Sequence, residues 1–217
     1  MLRLIPEIRK GQPLRLLCIG AHSDDIEIGC GATVLTWLAS MPAVEVTWAV
    51  LSAEGIRAPE ARRSARAMLA RAAARNVIIA NFRDCFMQAQ YVDVKSHFEA
   101  LKREVDPDVI LTHWLQDRHQ DHRLVAELTW NTWRNHLVLE YEIPKYEGDL
   151  VTPNVYVPIS KSVVSRKISH LTRYFSSQRD KDWFADDTFR GLMRLRGLES
   201  RSRSGFAEAF HARKLVF

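Results

Sequence analysis

Cysteine is scarce in this chain. Cys18, Cys30 and Cys85 are the only three, an odd number, and no two of them form a CxxC pair. That excludes a disulfide framework and zinc-finger spacing, and it predicts a reducing compartment, the cytoplasm. Long hydrophobic runs are missing too: none approaches the ~20 apolar residues that a membrane-spanning helix needs. The stretch Met1–Glu7 has no uninterrupted apolar core and no small-residue cleavage site, so it does not read as a secretory leader. Repeats and low-complexity tracts are absent. No basic stripe is interleaved with aromatics, so the net charge of +5 does not predict a nucleic-acid partner. Most of the basic excess lies beyond Ser160. Those arginines and lysines are expected at a pocket mouth that attracts an anionic conjugate, on a solvated helical surface, or in a homo-oligomer contact.

What is present suits one globular domain over residues 1–217. Hydrophobic residues make up 47% and charged residues 26%, enough for a sizeable core without covalent or metal staples. The apolar run Leu14–Ile19 reads as a buried strand. Val44–Leu51, Asn76–Ala80 and Val109–Thr112 are the next three strands, and 138–143 and 154–159 are two further candidates. Helices are predicted over Ala32–Ala39, over the alanine- and arginine-rich Ala58–Arg75, over Val94–Val105, and from His122 or Arg123 to about Asn135. Another follows Ser160, a suitable N-cap, and runs to Tyr174; the remainder reads as mostly helical. Alternating strands and helices predict a three-layer, Rossmann-like α/β domain with a mainly parallel central sheet. In the common strand order 3-2-1-4-5, the first and fourth strands are neighbours. The crevice at their carboxyl ends is then the place for chemistry.

Both carboxyl ends carry it. The first strand is followed by Gly20-Ala21-His22-Ser23-Asp24-Asp25-Ile26-Glu27, and the fourth by His113 and then Asp117-Arg118-His119-Gln120-Asp121-His122. A catalytic zinc commonly takes three protein ligands of histidine and carboxylate type and leaves one position open. His22, Asp25 and His122 would make that set, with one Zn2+ per chain. Asp24, adjacent to a ligand, would serve as general base toward water whose pKa falls to ~7. His119, if protonated, would stabilise the oxyanion, with Asp121 orienting it and raising its pKa. Glu27 would orient His22 from behind.

These segments resemble the paired motifs of the PIG-L/LmbE-like zinc de-N-acetylases. The likeness extends to Gly29-Cys30-Gly31-Ala32-Thr33, to Pro107–His113, and to the tail elements Ser177-Gln178 and Phe206-Ala207-Glu208-Ala209-Phe210. The resemblance implies removal of an acetyl group from an N-acetylglucosamine-type sugar or conjugate. It assigns the zinc to His22, Asp25 and His122, the base to Asp24, and the electrostatic role to His119 supported by Asp121. Arg63 and Asp117 are candidate substrate contacts. Two departures stand out: Ser23 where the family usually has proline, and, after the second strand, Arg62, Arg63 and Arg66 without the glutamate of the family's Arg-x-x-Glu pattern.

Three rival readings can be weighed on the residues. A dinucleotide fingerprint at Gly29-Cys30-Gly31 lacks its third glycine, because Val34 stands there, and acidic residues precede it where a pyrophosphate would bind. The glycines are better explained by close packing of the helix on the sheet. A two-metal phosphoesterase would need His113, Asp117 and Asp121 as a second ligand set. A non-catalytic sugar- or nucleotide-binding module would not require ligands, base and oxyanion donor together.

Overall fold

The computed structural model describes residues 11–216; the leader question at residues 1–7 lies outside them. Seven strands form one sheet: β1 (Leu14–Gly20), β2 (Val44–Val50), β3 (Ala74–Ile79), β4 (Val109–His113), β5 (Leu137–Tyr141), β6 (Val155–Pro158) and β7 (Ala207–Ala212). Their spatial order is β3-β2-β1-β4-β5-β7-β6. The first five run parallel, with Leu16 beside Val46 on one side and Val109 on the other. Strand β7 is antiparallel to both β5 and β6. The order 3-2-1-4-5 expected from the sequence is therefore present, extended by an antiparallel edge.

Side-chain alternation in β1 builds the layers. Leu14, Leu16 and Cys18 enter one core, and Leu17 and Ile19 enter the other. Helices α1 (Asp25–Ser40), α2 (Arg57–Met68), α5 (Lys161–Tyr174) and α6 (Asp186–Glu199) pack with one another on the first side. Helices α3 (Tyr91–Glu104) and α4 (Gln120–Thr132) cover the second. The Oγ of Ser160 accepts the backbone N–H of Val163, so the predicted cap of α5 is made.

Three expectations need correction. Helix α1 begins at Asp25, not Ala32, so Asp25 and Glu27 lie in its first turn, where carboxylates are favoured. Glycine weakens a helix locally, but packing decides here: a Cβ at Gly29 would sit 2.1 Å from Tyr141 Cδ2. Helix α2 ends at Met68 and β3 starts at Ala74, because Ala73 N–H donates to Val44 O and the chain pairs with β2. Strand β7, read as helical tail, has an alanine-rich sequence of low strand propensity that is overruled by partners on both edges.

Two basic residues of the C-terminal third are core ion pairs rather than surface. Arg196 binds Glu142 (Nε to Oε2, 2.9 Å), and Lys167 binds Glu208 at 2.6 Å. Glu208 also accepts the N–H groups of Ala32 (3.0 Å) and Thr33 (2.6 Å), while Lys167 donates to Ile28 O. Helix α1 is thus gripped at mid-length by an acid from β7 and a lysine from α5.

Candidate active site

Strands β1 and β4 are adjacent, and the loops leaving their carboxyl ends meet. His22 Nδ1 lies 3.2 Å from His122 Nε2 and 3.3 Å from Asp25 Oδ2, and His122 Nε2 lies 3.5 Å from Asp25 Oδ1. A tetrahedral shell with bonds of ~2.0–2.2 Å has edges of ~3.3–3.6 Å between donor atoms. The three predicted ligands converge on this scale, with Asp25 turning Oδ2 to His22 and Oδ1 to His122. All three are buried. Three overlapping groups there could each hold a metal ion: His22, His119 and His122; Asp25, His113 and His122; and His22, Asp84 and Asp121.

The electrostatics agree with that convergence. Burial alone would lower the pKa of His22, but Asp25, Asp121 and Asp84 outweigh it and hold the imidazole well above its usual range. His122 is likewise raised against burial, by Asp25 and Asp117. Asp25 is held well below the carboxylate range: burial opposes this, but the charges of His122, His113 and His22 prevail. Four carboxylates around two imidazoles make a pocket that favours positive charge.

Asp24 and Asp25, adjacent in sequence, are pushed apart. Burial raises the Asp24 pKa, and the nearby Arg57 only partly opposes it. Its Oδ1 takes Arg57 Nη2 at 3.0 Å, while its Oδ2 is buried without a hydrogen-bond partner. One aspartate is set for a cation, and the other keeps an oxygen free for a proton.

His119 is the N-cap of α4, and its Nδ1 accepts the N–H of Asp121 at 3.2 Å. In the neutral ring the proton then sits on Nε2, leaving that nitrogen a donor. The ring stacks on His122 at 4.5 Å and meets His22 edge-on at 4.8 Å. Burial, followed by the charges of His122 and His22, pushes its pKa down. The expectation of a raised pKa is corrected: like charges nearby, together with desolvation, prevail over Asp121.

Several supporting roles differ from those expected. The Asp121 carboxylate does not orient His119. It accepts the N–H groups of Cys85 (2.7 Å) and Met87 (3.3 Å) and lies 3.4 Å from His22 Nε2. Asp84 Oδ1 is closer to that nitrogen, at 3.0 Å. Asp84 and Asp121 thus perform the task assigned to Glu27, which instead accepts Ser64 Oγ, itself 2.8 Å from His170 Nε2. Asp117 is buried and orients His122, with Oδ2 at 3.1 Å from Nδ1, so it is not a substrate contact. Arg63 is exposed on α2. Of the second ligand set, His113 Nε2 accepts the N–H of Ala21 at 3.0 Å and lies 3.1 Å from Asp25 Oδ2, while Asp117 and Asp121 make the contacts described above.

Arg57, Asp84 and Lys145 were missed. Arg57 had a visible signal, because Arg57-Ala58-Pro59-Glu60 is itself an Arg-x-x-Glu pattern, five residues before the first arginine considered. The Arg-x-x-Glu pattern is therefore present in this chain. Glu60 accepts Ser176 Oγ (2.7 Å) and Ser177 Oγ (2.6 Å), tying α2 to the Ser177-Gln178 element. Asp84 and Lys145 carry no local signal, since each acts across loops from different strands.

A sequence model of the PIG-L family, described as GlcNAc-PI de-N-acetylase, matches residues 17–133, which include the three predicted ligands, Asp24 and His119. The chain belongs to the PIG-L family. It is a hydrolytic N-deacetylase. The uncharacterized deacetylase YaiS of Escherichia coli (strain K12) is 31% identical to this PIG-L protein over 180 residues, covering 77% of this chain and 92% of YaiS. The fold matches that of the N,N'-diacetylchitobiose deacetylase from Pyrococcus horikoshii, solved with an inhibitor, at TM-score 0.68 and 20% identity over 92% of this chain and 83% of the other. It also matches GalB, the 4-carboxy-2-hydroxymuconate hydratase of Pseudomonas putida KT2440, at TM-score 0.74 and 17% identity over 94% and 98% of the two chains. A hydratase on the same frame means that fold alone does not fix the reaction, and side chains must. No helix among the described residues is long and apolar enough to cross a membrane.

Proposed function

We propose that this PIG-L protein is a cytoplasmic zinc enzyme that removes the acetyl group from an N-acetylglucosamine-type sugar or sugar conjugate, with one zinc per chain held by His22, Asp25 and His122. The observation that carries the reading is the convergence of those three residues, with the two imidazoles 3.2 Å apart and Asp25 Oδ2 and Oδ1 at 3.3 and 3.5 Å from them, beside the unpartnered Oδ2 of Asp24. The family description and the chitobiose deacetylase likeness support the sugar class. The three unbonded cysteines support the compartment.

Zinc, when bound, supplies Lewis acidity toward water and the acetamide carbonyl. The remaining work falls to the chain. Asp24 takes the proton of the attacking water on Oδ2, with Arg57 fixing the other oxygen. His119 donates its Nε2–H to the carbonyl oxygen as that oxygen becomes anionic, and it does so as a neutral ring. Asp24 then passes its proton to the departing nitrogen as the C–N bond breaks, giving acetate and the free amine. Asp84 and Asp121 hold the His22 ring, and Asp117 holds the His122 ring.

The test is acetate release from a panel of N-acetylhexosamine glycosides and nucleotides, with zinc-loaded protein and after chelation. Release from at least one N-acetylglucosamine conjugate, lost on chelation and restored by zinc, is expected. Equal release before and after chelation would reject the metal assignment.

A further inference from the structure

Lys145 lies outside both metal-site motifs, on the connection between β5 and β6. Its ammonium is nevertheless one hydrogen bond away from the carboxylate behind a metal ligand. Asp117 Oδ2 accepts Lys145 Nζ at 2.9 Å and is 3.1 Å from His122 Nδ1, so one oxygen serves both groups. Asp117 Oδ1 is occupied by the N–H of His119 at 2.8 Å, which leaves the carboxylate no freedom to give each partner its own oxygen. Lys145 is itself held by Asp149 (2.7 Å), which also accepts the N–H of Arg118 (2.8 Å), and by Ile143 O (3.3 Å). Its side chain is only 10% exposed.

A carboxylate behind an imidazole makes that imidazole a stronger metal donor. An ammonium on the same oxygen withdraws part of that effect, and it adds a positive charge close to a site for a dication. For metal binding alone, Lys145 works against the site. Building on the zinc reading above, we propose that Lys145 is a positioning residue that restrains Asp117, limiting the donor strength of His122 and keeping the metal electrophilic at some cost in affinity.

The opposite role, a clamp that merely holds the loop, predicts the opposite sign, so zinc affinity separates the two. Zinc dissociation constants would be measured by competition with a chromogenic chelator for the wild type, Lys145→Met, Lys145→Arg and Asp117→Asn. Thermal melting of each metal-free form checks folding. Lys145→Met is expected to bind zinc about tenfold more tightly, with a reduced kcat. Lys145→Arg should stay near wild type, and Asp117→Asn should bind about tenfold more weakly. If Lys145→Met does not fold, Lys145→Gln should show the same tightening. Affinity that is unchanged or weaker in a folded neutral variant would overturn the role of Lys145 alone. A wild type that takes up no zinc would overturn this role together with the reading beneath it.

Discussion

Two adjacent aspartates with opposed pKa shifts organise the chemistry at the level of single residues. Burial holds Asp24 above the ordinary carboxylate range, so a base that works deprotonated loses activity as pH falls through that raised value. The acid limb of the rate profile should therefore lie above the ordinary ~4 of an aspartate. Arg57→Met removes the cation that lowers it, and the limb should then move to higher pH, as read from kcat/KM against pH. His119, pushed down and fixed as the Nε2–H tautomer, is a donor while neutral. His119→Ala should cost ~10²–10³-fold in kcat and leave the basic side of the profile unchanged; a basic limb that vanishes in this variant would show that the protonated ring is the active form. The meeting of five of these residues was legible in the sequence. His22, Asp24, Asp25, His119 and His122 are short-range motifs at strand ends, and the winding order brings them together. Their partners were harder to foresee, because Asp84 and Lys145 reach them through loops whose course no local pattern encodes.

Among the elements, α1 shows most clearly how packing overrides propensity. Its first two turns hold Asp25, Glu27, Gly29 and Gly31, a poor helical sequence on its own, whereas the predicted start at Ala32 rested on the apolar stretch Ala32–Ala39. The helix forms earlier because Gly29 lies against the ring of Tyr141, whose hydroxyl donates to Ile19 O at 2.7 Å. Gly31 has ordinary room, with Met68 Cε at 3.4 Å from its built Cβ. Gly29→Ala should therefore destabilise the protein by about 1–3 kcal/mol through overpacking, measured by denaturant unfolding, and Gly31→Ala should cost less. Tyr141→Leu combined with Gly29→Ala should recover part of the loss, since the two positions are in contact. The misplaced end of α2 and the unseen β7 have the same origin: alanine favours helix, and pairing with a neighbouring strand outweighs it.

For the whole molecule, the strand order was the most legible feature, because right-handed crossovers and alternating elements leave few windings. The C-terminal third was the least legible. Its basic residues read as surface, yet Lys167 and Glu208 are buried with side chains 3% exposed and bind the backbone of α1. Glu208→Ala leaves the buried Lys167 ammonium without its counter-ion and removes the carboxylate acceptor of two helix N–H groups, and a loss of about 3–5 kcal/mol is expected from equilibrium unfolding. A surface-like loss well below 1 kcal/mol would contradict that placement. In the proposed function, the loops after β1 and β4 make one metal centre, and within it Asp24 works on water without being a ligand. The most direct test is to measure zinc content and acetate release together in Asp24→Asn. One zinc per chain, as in the wild type, with a rate lower by ~10²–10⁴-fold is the predicted result. Loss of the zinc, or a rate close to wild type with the zinc in place, would contradict it.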